Sequence, residues 1–224
     1  MSKSWYRIPL IYIFNFKSRL PIRIISLLSS IFLSLSLVQC HKYKNPRRDT
    51  SKYIKWRNNL NLNWTDFKGI RPFGDPHAAG SYLWFDRDYK EILDSIEIQL
   101  TTFIIPDSSW INPTKISNRV LMHERRHFDL GEVSNRKFRK YLKDWNGKSW
   151  EDFNVYFSLG NFNQEAQAIQ SQYDSETNHS LNILQQEEWN YKIDSLLEVY
   201  KDFADPVFRI RINRINHYKS HSSN

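Results

Sequence analysis

His123, Glu124 and His127 stand in the segment Val120 to Asp129, VLMHERRHFD, as H-E-x-x-H. On a helix, residues four apart lie one turn above each other on one face, so the two imidazoles can be aimed at a single point. Such a point suits Zn²⁺. Glu124, projecting to the side of the first histidine, is then placed to take a proton from a water on that ion, the arrangement by which metal-dependent peptidases use this motif. The spacing therefore predicts two metal ligands and one general base. Val120, Leu121, Phe128 and Leu130 supply an apolar lining, Arg125 and Arg126 can face water, and no Pro or Gly intervenes before Gly131.

A catalytic zinc takes three protein ligands and keeps one position open. The only other dense group of donors is Tyr173-Asp174-Ser175-Glu176-Thr177-Asn178-His179. Asp174 and Thr177, three apart, share a helical face. His179 would project about 140° from Asp174 on a regular helix, so both can serve one ion only if the helix bends. His179 ranks ahead of Asp174 as third ligand because imidazole is the better zinc donor, which leaves Asp174 to orient a histidine. Tyr173 is a candidate for oxyanion stabilisation.

These residues need elements to hold them. Thr114 to Ser117 offers a start for the H-E-x-x-H helix, which continues past Gly131 to about Trp145, with the basic run Arg136 to Lys143 as a solvated face. The longest helical pattern runs from Gln164 to about Phe203 without a proline, carrying Ile169, Tyr173, Leu184, Tyr191, Leu196 and Val199 as apolar contacts. Upstream, Asn61 to Gly69 and Ser81 to Phe85 read as short strands. Ser95 to Ile105 alternates Ile96, Ile98 and Leu100 with Glu97, Gln99 and Thr101, the period of a strand with one buried face. As an edge strand beside the metal helix it is the candidate to pair with a substrate backbone. Trp150 to Gly160 is a short irregular or helical piece that carries aromatics into the core.

The chain has 224 residues, of which 40% are hydrophobic and 15% aromatic, enough for one good core. Its net charge of +8 is misleading. Lys3, Arg7, Lys17, Arg19 and Arg23 lie in the first 40 residues with no acid among them, and setting that segment aside lowers the charge by five, to +3. A balance that small does not argue for a nucleic-acid partner. Residues 1–40 read as an export signal: a long basic region, then the apolar run Ile24 to Val38, and the single cysteine at Cys40 in Leu37-Val38-Gln39-Cys40, which resembles a lipoprotein box. An ordinary cleaved signal peptide and an uncleaved N-terminal anchor are the alternatives, and each exports the chain. Residues 41–52 read as a polar tether, 53–204 as the domain, and 205–224, with Arg209, Arg211 and Arg214, as a solvated basic tail.

Three motifs, Trp64-Thr65-Asp66-Phe67-Lys68-Gly69, Leu121 to Asp129 and Tyr173 to His179, together resemble the bacterial predicted secreted zinc-dependent protease family, a domain family of unknown function. The resemblance spans about Leu62 to Leu197, with Ser180 where that family often has glycine. It implies a zinc-protease-like site with Asp174, Thr177 and His179 at the matching downstream positions, and no particular substrate. The expectation is an exported, lipid-anchored α+β domain, a small N-terminal antiparallel sheet followed by two long zincin-like helices. It hydrolyses polypeptides, with zinc held by His123, His127 and one of His179 and Asp174. The alternative is a non-catalytic surface lipoprotein or binding module, its metal absent or closed in by four protein ligands, Asp174 and His179 both included.

Overall fold

A computed structural model describes residues 49–92, 94–145, 153 and 161–211. The expectations for the signal segment, Cys40, most of the tether, Arg214 and all of Trp150 to Gly160 except Phe153 fall outside them. Among the described residues no helix is long and apolar enough to cross a membrane.

The fold is mixed α+β, with antiparallel sheets and, among the described residues, three α-helices. Strand β1 is Ile54–Lys55, β2 Ala79–Gly80, β3 Leu83–Ile92, β4 Ser95–Ile104, β5 Trp110–Ile111 and β6 Val207–Arg211; α1 is Asn118–Lys143, α2 Asn161–Thr177 and α3 Ile183–Val199. The β3 and β4 strands form a hairpin in register from Leu83 opposite Ile104 to Ile92 opposite Ser95. The other edge of β4 is taken by β1 at one end and β6 at the other. A second, two-stranded sheet pairs β2 with β5.

The alternation in β4 does what a period of two should. Ile96, Ile98 and Leu100 are fully buried and cluster with Phe138 and Leu142 of α1 and with Trp145 just past its end. Farther along the same face, Ile104 packs on Phe128. The expectation that this strand is an edge is corrected: β4 is central, with both of its hydrogen-bonding edges occupied. The reason is β6, whose Phe208 and Ile210 alternate into the same core while Arg209 reaches Glu97 at 2.8 Å. The C-terminal stretch to Arg211 is therefore a strand of the sheet, with Arg209 and Arg211 on its exposed face.

Helix α1 starts where its cap predicts, with Ser117 Oγ accepting from the Val120 N–H. It passes through Gly131, where an added Cβ would lie 3.1 Å from Leu83 and 3.2 Å from Thr102, so the missing side chain lets the helix sit close on the sheet. Sheet on one side and α2 and α3 on the other bury α1 on most of its circumference. That overturns the solvated reading of its basic run for two members. Arg136 and Arg139 are buried; Glu132 accepts from both, at 3.2 and 2.8 Å, and Arg139 also donates to the carbonyls of Leu100 and Phe203. Lys140 and Lys143 do face water.

Two further expectations change. Asn61 to Gly69 is not a strand but a loop holding one turn of 3₁₀-helix, Trp64–Asp66, closed by a capping box between Asn63 and Asp66. The long helix from Gln164 to Phe203 is two helices, because Asn178, His179 and Ser180 take left-handed backbone angles, φ 46°, 50° and 75°. Non-glycine residues in that region each cost about 1–3 kcal/mol and persist only where the surroundings hold them. Here the His179 N–H bonds the Asp174 carbonyl at 3.0 Å, Asn182 N–H bonds the Thr177 carbonyl at 2.8 Å, and the Asn182 side chain caps α3.

A candidate metal centre between three helices

The i, i+4 spacing on α1 places the His123 and His127 rings edge to face with centroids 4.7 Å apart and their Nε2 atoms at 3.2 Å. Asp174 Oδ1, from the last turn of α2, lies 2.8 Å from His127 Nε2 and 3.1 Å from His123 Nε2. The left-handed turn after α2 folds His179 back over the same carboxylate, its Nδ1 3.5 Å from Asp174 Oδ1. The bend that a joint role for Asp174 and His179 required is therefore present. Side-chain exposure rises from 3% at His123 through 13% at His127 and 22% at Asp174 to 45% at His179, so the cluster opens to solvent on the His179 side.

Amides from two helices fix which face of each ring looks inward. Gln186 Oε1 of α3 meets His123 Nδ1 at 3.0 Å, and Gln170 Oε1 of α2 meets His127 Nδ1 at 2.6 Å. A carbonyl oxygen only accepts, so each Nδ1 carries a proton, and each Nε2 is the nitrogen left to face Asp174, through a second proton or a bound cation. The amide nitrogens are committed as well. Gln170 donates to the His127 carbonyl at 3.0 Å, and Gln186 donates to the Tyr173 hydroxyl at 2.7 Å and to Asn190 at 3.1 Å.

Two lone pairs and a carboxylate oxygen within 3.2 Å of each other repel unless a cation sits between them. A proton is one solution. Burial by itself would lower the His127 pKa, but the hydrogen bond and charge of Asp174, the charge of Glu124 and the bond from Gln170 together raise it to about 9. The Asp174 carboxyl is held far below its ordinary range, since bonds from His123, His127 and His179 outweigh the burial that would raise it. A metal ion is the other solution. Zinc bonds of about 2.0–2.2 Å imply tetrahedral donor spacings of about 3.3–3.5 Å, so these donors fit a first-row ion after opening by a few tenths of an ångström. His123, Asp174 and His179 are placed so that they could hold a metal ion, with donor atoms within 4.8 Å of one another.

Glu124 is buried beside the cluster and is not one of the converging donors; its carboxylate accepts from Ser81 Oγ, in the link between β2 and β3. Tyr173 is not where the sequence reading put it. Its ring is fully buried and stacks on His123 at 4.6 Å, and its hydroxyl donates to the His123 carbonyl at 3.3 Å while accepting from Gln186. Burial pushes its phenol above the ordinary range, so it stays protonated and supports the helix, with no free donor for an oxyanion. Thr177 Oγ1 is equally inward, bonding the Tyr173 carbonyl at 2.7 Å. Arg126, expected to face water, instead ties α1 to Asp194 of α3 at 2.6 Å and to Asp129 at 3.1 Å.

Sequence reasoning missed Gln170, Gln186 and Ser81. Gln170 had a signal, since it precedes Asp174 by four and shares its face of α2. Gln186 and Ser81 had none, because each reaches the cluster only through the turn or loop that redirects its element. No known family model matches the chain, and no curated protein or solved structure shows significant similarity to it.

Proposed function

We propose that the protein is an exported zinc-dependent peptidase with a zincin-like centre. One observation carries the reading: two helical histidines aim their Nε2 atoms at a shared carboxylate oxygen, each with its Nδ1 bonded to a glutamine carbonyl, with a buried non-ligand carboxylate one residue away. In this reading His123, His127 and Asp174 hold the zinc. Asp174 takes precedence over His179 because its oxygen touches both imidazoles, whereas His179 stands at the open side.

Bound zinc supplies an electrophile that polarises a carbonyl and acidifies water. The chain supplies the rest. Glu124, oriented by Ser81, accepts the proton of the attacking water and returns it to the departing amine as the C–N bond breaks, so hydroxide ends on the acyl carbon and hydrogen on the amine. Gln170, Gln186 and Tyr173 keep the histidine rings fixed through the reaction. Export, with anchoring through Cys40, belongs to the same reading and rests on the N-terminal sequence.

The second reading is a binding module with a closed structural site. It draws on the position of His179, which brings a fourth donor within 3.5 Å of Asp174. Glu124→Gln separates the two. The nearly isosteric amide keeps zinc and fold, and in a peptidase it lowers hydrolysis of an unstructured protein substrate by about 10²- to 10⁴-fold. Wild-type turnover by the zinc-loaded mutant overturns the mechanism.

A further inference from the structure

We propose that His77 is a substrate-binding residue of this centre, its Nε2 a fixed acceptor for a backbone N–H of a bound polypeptide. The proposal rests on the peptidase reading.

His77 lies on the loop leading into β2, and that loop is tied down at several points. Pro72 to Asp75 is a turn with Gly74 at φ 76° and a 3.2 Å bond from the Asp75 N–H to the Pro72 carbonyl. Arg71 donates to the Asp75 carbonyl, Lys115 Nζ to the Pro76 carbonyl at 2.8 Å, and the Asn112 N–H to the Ala78 carbonyl at 2.7 Å. One oxygen then fixes both the main chain and the ring of His77: Asp75 Oδ1 accepts from the His77 N–H at 2.9 Å and meets its Nδ1 at 2.8 Å.

Because the carboxylate only accepts, Nδ1 carries a proton. The Nε2 atom has no hydrogen-bond partner among the described residues, and the side chain is 37% exposed. The ring packs on His179 with centroids 4.2 Å apart, which puts it on the solvent side of the metal cluster, where a ligand must enter. It does not belong to the converging donor group. An Asx turn needs only the aspartate and the main-chain N–H, so the turn gives no reason for an imidazole at this position. A peptide binding gives one. Peptide N–H groups leaving water need acceptors; β4 has none to offer because β3, β1 and β6 occupy its edges, and His77 presents one beside His179.

The test uses the full chain loaded with zinc and two probes measured by calorimetry: a phosphinic pseudo-hexapeptide of alanine and leucine, and acetohydroxamate, which reaches the metal but carries no peptide backbone. His77→Phe keeps the ring contact with His179 and removes the acceptor; His77→Gln returns an acceptor at similar reach. Loss of one ordinary hydrogen bond weakens the pseudo-peptide about three- to tenfold in His77→Phe. Acetohydroxamate affinity and zinc content stay at wild-type values, and His77→Gln recovers most of the loss. Equal pseudo-peptide affinity in His77→Phe and wild type overturns the proposal, as does a parallel loss of acetohydroxamate or zinc, which would make the ring a support of the metal centre. If wild type holds zinc and acetohydroxamate but not the pseudo-peptide, the peptidase reading fails, and this inference with it.

Discussion

Gln186 Oε1 lies 3.0 Å from His123 Nδ1, so a side chain on α3 decides which nitrogen of an α1 histidine faces the cluster. Gln170 does the same for His127 from α2. Replacing either amide with leucine keeps the volume and removes the acceptor. Zinc affinity, read by competition with a chelating dye, falls about 10- to 100-fold for Gln170→Leu and for Gln186→Leu. A change below twofold in both would mean that the rings need no outside orientation.

Asp174 and His179 make opposite demands on experiment. Asp174→Ala removes the oxygen shared by both imidazoles and abolishes stoichiometric zinc, whereas His179→Ala retains one zinc per chain with lower affinity. Metal analysis after gel filtration reads both. The reverse outcome would restore the ranking drawn from imidazole chemistry alone.

The metal-free protein has a pH signature with a definite sign. The folded pKa of His127, about 9, stands above its ordinary 6.5, so its contribution to stability is complete below 6.5 and is lost as pH rises toward 9. Asp174 is shifted the other way, down from 3.8, and its contribution is complete above that value and lost as pH falls through the lowered pKa. Chelator-treated protein therefore melts progressively lower between about pH 6.5 and 9, where added zinc, which takes the place of the proton on His127, stabilises it most. A melting temperature flat across that window refutes the coupling.

Arg139 is the strongest stability test away from the histidine cluster. Its guanidinium is buried against Glu132 and the carbonyls of Leu100, Phe203 and Ala204, so Arg139→Ala leaves these carbonyls without their donor and a buried carboxylate with only Arg136 as counter-charge, and costs about 3 kcal/mol in urea unfolding. A loss under about 1 kcal/mol would fit the solvated face expected from the sequence.

Cys40→Ser tests the anchor. If Cys40 is lipidated, the substitution moves the protein from the membrane to the soluble fraction. Unchanged fractionation with Ile24 to Val38 still attached would favour an uncleaved anchor.

How much of this was legible in the sequence varied with the range of the interactions. The stacking of His123 and His127 on one helical face, a helix start within Thr114 to Ser117 and the alternation in β4 are local, and each is seen because neighbours three, four or two residues apart are enough to define it. Arg139 could not be read, since a basic run on a helix looks the same whether or not an acid seven residues earlier is buried beneath it. The break after Thr177 was hidden for another reason. Asn178, His179 and Ser180 contain no glycine or proline, and their left-handed geometry is held by contacts to Asp174 and Thr177 rather than by their own preferences. With the break unread, Gln186 stayed far from His123, and the ligand question stayed a choice between faces of a helix that does not exist as one piece.

The place of β6 in the sheet sets an order of events in folding. Residues 95–99 of β4 find their partner strand only at 207–211, so the two halves of one ladder are made more than a hundred residues apart in time. Contacts of such separation close late and slow the search. A ribosome-bound or partly translocated chain that lacks residues 207–211 cannot complete the core formed by Phe208, Ile210, Ile96 and Ile98. Among the described residues β6 is the last strand, so the ladder on β4 stays incomplete until the chain has been made past Arg211.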